Sequence, residues 1–103
     1  MANVTVAETI LEQLGGRRFV AMTGAKQIYG GEHHLQFKLP ARSAKDGINC
    51  VRVTLDPSDT YTVAFYTVRR GGFVKMHGEP VHDVYADNLR AVFTAATGLE
   101  TSL

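Results

Sequence analysis

The sequence predicts a two-layer α+β domain, a four- or five-stranded antiparallel sheet with an N-terminal and a C-terminal helix on one face. Three observations lead there. Apolar residues recur at helical spacing at both ends of the chain, and between them the apolar period changes to two. Turn residues then punctuate the middle at short intervals, which favours hairpins. With 103 residues the chain is read as one domain, residues 1–103, because two would each be too small to bury a useful core.

The first helix opens on Thr5-Val6-Ala7-Glu8, a capping-box pattern in which hydroxyl and carboxylate satisfy free N–H groups. Ala7, Ile10, Leu11 and Leu14 form its apolar stripe, and Gly15-Gly16 supplies the left-handed conformation that closes it. Phe19–Thr23 is rich in strand formers and is read as the first strand. Gly30-Gly31 suits a tight reversal. Leu35, Phe37 and Leu39 then alternate with His34, Gln36 and Lys38, and Pro40 ends that strand by lacking an N–H donor.

The polar stretch 41–47 connects to a strand over Asn49–Leu55, with Val51, Val53 and Leu55 on one side. Asp56-Pro57-Ser58-Asp59 is a turn, since proline presets the first corner and the aspartate bonds the backbone ahead. Tyr61, Val63 and Phe65 alternate with Thr62, Ala64 and Tyr66. Arg69-Arg70-Gly71-Gly72 turns the chain into a short strand near Phe73–Met76, and a polar loop follows. The last helix takes Asp83 as its N-cap; Tyr85, Leu89, Val92, Phe93 and Ala96 are its stripe. Gly98 caps it, with Leu99 folding back onto the last turn.

This pattern assigns faces. Leu35, Phe37, Leu39, Val51, Val53, Leu55, Tyr61, Val63 and Phe65 belong under the helices. The opposite, open face carries His34, Gln36, Lys38, Cys50, Arg52, Thr54, Thr62 and Tyr66, and open faces of antiparallel sheets are frequent binding surfaces.

Apolar content of 45% and charged content of 20% are those of a globular chain. A net charge of +1 gives the whole molecule no strong attraction for nucleic acid or membrane. Its distribution is uneven, basic from Arg17 to Arg52 and acidic from Glu79 onward, with Asp83, Asp87 and Glu100. The single cysteine, Cys50, has no internal disulfide partner, and no stretch approaches the ~20 apolar residues that span a bilayer. The N-terminus does not read as a secretory leader, so the expected location is the cytoplasm.

Candidate chemistry is sparse. Thr23-Gly24-Ala25-Lys26 resembles a phosphate cradle, but a P-loop needs G-x-x-x-x-G-K-[ST] between a strand and a helix, and both spacing and context fail. His77, Glu79, His82 and Asp83 are crowded, yet Gly78 and Pro80 break any helix that would aim them at one metal. Cys50 has cationic neighbours in Arg52 and Lys38 but no local base, and Asp56 and Asp59 are explained by their turn. No catalytic, cofactor or metal site is expected. The basic residues carry more. The expected binding face is His34, Gln36, Lys38, Arg52, Thr54 and Tyr66, with loop contacts from Lys26, Arg69 and Arg70. Its cations suit phosphates and its tyrosine suits a stacked base, although an RNA-binding sheet normally offers two or three such rings.

The segments "LEQLGGRRFVAMTGAK", "LQFKLP", "AKDGINCVRVTL" and "VYADNLRAVFTAATGLETSL" together resemble a family of small, functionally uncharacterised proteins encoded by bacteriophages, prophages and related mobile elements. The likeness spans nearly the whole chain and is most specific in LGG…AMTGAK, GIN and TGL-x-TSL. It implies a phage setting, and it carries no catalytic residue. The resulting expectation is a non-enzymatic accessory protein that binds a host or phage macromolecule, such as a counter-defence inhibitor of the anti-CRISPR or anti-restriction type. The alternative is a weak nucleic-acid-binding module using the open face.

Overall fold

Alternating burial along three central strands organises the molecule. The computed structural model describes residues 5–40, 44–69, 71–99 and 101. Strands β2 (His34–Lys38), β3 (Cys50–Leu55) and β4 (Tyr61–Val68) pair antiparallel, with Leu35 opposite Val53, Phe37 opposite Val51 and Val53 opposite Val63. Because side chains alternate across a strand, this register puts every one of these apolar residues on one face. All of them are buried there, with Leu55 half-buried at the margin.

Helices α1 (Thr5–Leu14) and α3 (Leu89–Thr97) cover that face through Ala7, Ile10, Leu14, Leu89 and Phe93. The predicted two-layer α+β architecture is the one observed. Gly15 and Gly16 end α1 with positive φ, and their N–H groups return to the Leu11 carbonyl at 3.2 and 2.9 Å. Gly98 ends α3 in the left-handed region, bonded to the Thr94 carbonyl at 2.8 Å, and Leu99 packs back on the core. No helix among the described residues is long and apolar enough to cross a membrane.

Three local expectations are corrected. Phe19–Thr23 is not a strand: Arg17–Thr23 is a second helix, α2, and the first strand, β1, is Lys26–Gly30. The strand-forming composition is overridden because Phe19 and Thr23, four residues apart, bury together on one helical face. Phe19 then meets Phe37 and Phe93, each with ring centroids 5.2 Å away.

The stretch after β5 (Val74–Met76) is not only a polar loop. It contains β6 (Val81–Val84), which lies along β4 beside β5, so the sheet runs β1-β2-β3-β4 with both short strands on the far side of β4. Its alternation is interrupted by a bulge, with Asp83 at φ 57, and this erases the period of two from the sequence.

Asp83 accordingly does not cap the last helix. A 3₁₀ turn, Ala86–Asn88, intervenes, and the Asn88 side-chain oxygen accepts the Tyr85 N–H at 2.8 Å. Tyr85 stands exposed rather than in the apolar stripe.

Candidate functional site on the open sheet face

The strand register builds the open face in rows. His34, Thr54 and Thr62 form one row, Gln36, Arg52 and Ala64 the next, and Lys38, Cys50, Tyr66 and Met76 the third. On the β1 side, Tyr29 lies opposite Gln36 and Lys26 opposite Lys38. The expected face is therefore assembled as one surface, and Lys26 belongs to its edge.

Its centre is a shallow cleft of about 230 Å³ lined by Gln36, Cys50, Arg52, Tyr66, Val68 and Val74. Arg52 donates from Nε to the Gln36 Oε1 at 3.0 Å, which steadies the guanidinium across the strand pair. Among the described residues the sole ion pair joins Glu32 to His33 at 4.0 Å, so Lys26, Lys38 and Arg52 have no carboxylate partner. Three cations close on one sheet face without counter-charge repel one another, and a bound anion relieves that repulsion.

Cys50 forms the cleft floor. Only 4% of it is exposed, and burial pushes the thiol up, outweighing the downward pull of Lys38 and Arg52. Buried to this extent, the cysteine contributes apolar surface to the cleft.

His34 sits at the other end of the face. Its ring lies edge-on to Tyr29, centroids 5.5 Å apart, and directly over Gly31, where a Cβ would come within 2.3 Å of the imidazole. Burial first, then Arg52 and His33, hold its pKa below the usual imidazole value. Its Nε2 is buried without a partner among the described residues. His34 thus belongs to the face as a packed neutral ring, and Thr54 lies half-buried beside it.

Arg69 is exposed on the β4–β5 hairpin, where its N–H reaches the Phe73 carbonyl at 2.8 Å. Arg70 falls outside the described residues. The apolar side of the cleft, Val68 and Val74, was not anticipated; extending the parity of Thr62 and Tyr66 by two residues would have found Val68.

The features set aside on sequence grounds have structural roles. Gly24 caps the C-terminus of α2, bonded to the Val20 carbonyl at 2.9 Å, and Lys26 opens a strand. The glycine thus meets a helix end that presents carbonyls, the wrong pole for phosphate. The Thr67 hydroxyl donates to the Gly47 carbonyl at 2.9 Å and is held in turn by His77 Nε2. Thr62 donates its hydroxyl to Asp56 Oδ2 at 2.5 Å, leaving its oxygen to accept from His82 Nδ1 at 3.1 Å. Each imidazole has its own threonine. Among the described residues no three His, Cys, Asp or Glu side chains approach closely enough to hold a metal ion.

Comparison with family models, with curated proteins and with solved structures finds no match to this chain. The functional reading therefore rests on the face itself.

Proposed function

We propose that this chain is a non-enzymatic accessory protein that binds a host or phage protein through the open sheet face. The observation that carries it is the cleft of about 230 Å³ lined by Arg52, with Lys38 opposite its Cys50 and Lys26 one strand further out, cations that have no carboxylate partner among the described residues. Small-molecule sites typically enclose ~300 Å³ or more, so this hollow suits one anchoring side chain of a partner rather than a cofactor. The matching partner surface has an apolar side chain for the wall of Tyr66, Val68 and Val74, with carboxylates around it for the cations. The phage setting rests on the sequence resemblance, and a counter-defence role, against a CRISPR or restriction complex, follows from that setting.

Capture from lysates of uninfected and phage-infected bacteria tests the reading. Protein tagged at either end is compared with the Lys38→Glu/Arg52→Glu double variant and with Val68→Asp. A bacterial or phage protein retained by the parent and lost from both variants is the expected result. Equal retention by all three, or no protein retained by the parent, removes the proposal.

The second reading is nucleic-acid contact, favoured by Tyr66 standing two residues from Arg52 across the sheet and directly in the row of Lys38. It requires binding to single-stranded DNA or RNA that weakens with salt, with a slope of about −2 for three cations. Salt-independent binding excludes it.

A further inference from the structure

Among the described residues, eight large hydrophobic side chains are exposed: Met22, Ile28, Tyr29, Phe73, Val74, Met76, Val81 and Tyr85. Five of them are clustered. Phe73, Val74, Met76, Val81 and Tyr85 follow one another along β5, β6 and their flanks, with Phe73 73% and Val74 60% exposed. Both strands lie on the same side of β4, whose other side is taken by β3, so together they form one free edge of the sheet. That edge runs alongside Tyr61–Val68, a span of about 24 Å.

The charges on this edge are polarised. Arg69 and Lys75 occupy the β5 end, whereas Asp83 and Asp87 occupy the β6 end, with Glu79 in the connection between the strands, and all five are exposed. A two-fold axis through the middle of the edge brings β5 of one copy against β6 of the next. The basic end of each then meets the acidic end of the other, with Phe73 and Val74 interleaved among the basic residues and Met76 and Val81 nearest the axis. This is the self-complementarity that an isologous contact demands, in which i touches j and j touches i.

We infer that the β5–β6 edge is a homodimer interface, its occupant a second copy of this chain related by a two-fold axis. Gly78 to Pro80 and the bulge at Asp83 interrupt the backbone edge, so side chains dominate the contact and an open-ended ladder is discouraged. This interface goes beyond the proposed function and needs no partner protein; Val74 belongs to both surfaces, and the charge variants at residues 75 and 83 separate the two readings because neither residue lines the cleft.

Sedimentation equilibrium from ~1 μM to ~1 mM chain at low salt tests it. A concentration-dependent dimer is expected. Lys75→Glu and Asp83→Lys should each raise its dissociation constant by about tenfold, and the two together should recover most of that loss, because the two-fold axis sets residue 75 of one copy against residue 83 of the other. Val74→Asp should leave monomer only, and circular dichroism matching the parent shows that it remains folded. A chain that stays monomeric throughout overturns the inference. So does a dimer indifferent to Val74→Asp, or a dimer in which the charge double variant is weaker than either single one.

Discussion

Phe19 stands edge-on to Phe37, ring centroids 5.2 Å apart and planes at 80°. This contact joins α2 to the sheet and explains why a strand-like stretch is helical. Both rings are fully buried, and Phe93 of α3 closes the group.

Phe19→Ala should therefore lower unfolding stability by ~3–5 kcal/mol, since it removes a buried ring and leaves a cavity. Denaturant titration reads the loss as a lower midpoint. A loss under ~1 kcal/mol would mean that α2 does not dock on the core as described.

Gly24 offers a sharper comparison. Its φ is 72, and a Cβ there would stand 2.8 Å from the Pro40 Cγ and 3.3 Å from its Cδ. Gly72 has φ 85 with nothing within 4 Å of the same atom. Both alanine variants bear the left-handed backbone cost of ~1 kcal/mol, but only Gly24→Ala adds a clash with a rigid ring. Thermal unfolding should rank Gly24→Ala below Gly72→Ala, and the reverse order contradicts the close approach.

Cys50 should react slowly with alkylating reagents at neutral pH and accelerate only above the pH range of an ordinary thiol, because burial raises its pKa. The folded state holds the proton more tightly than the unfolded one. The associated stability is complete below the unfolded thiol's pKa and is lost as pH rises through the folded value. Cys50→Ala should flatten that alkaline slope, as measured by denaturant titration across pH.

His34 carries the opposite sign. With its pKa lowered from the usual 6.5, the folded state disfavours the imidazolium. Stability is complete above 6.5 and declines as pH falls from there to the folded value, where the loss levels off. Proton NMR should find the His34 ring titrating at lower pH than a free imidazole. Arg52→Gln should shift it upward, because a cationic neighbour on that face is then neutral.

The architecture was readable from the chain because its main signals are local. Alternation over 34–39, 49–55 and 61–66 defines the core face, and the Gly15-Gly16 and Gly98 stops define helix ends. The same parity alone places Gln36, Lys38, Arg52 and Tyr66 together on the opposite face. Tertiary structure decided the rest. Whether FVAMT became a strand or a helix depended on Phe37 and Phe93, residues far away in the chain that receive Phe19. The strand Val81–Val84 was hidden because a left-handed Asp83 breaks its period, and only the vacant flank of β4 gives it a partner. The turn at Arg69–Gly72 announces the β4–β5 hairpin, but which residue stands opposite Val68, and so brings Val74 to the cleft, is set by the register of the pairing. Periodicity tells a residue which way to face; what it faces is settled by the elements that fold against it.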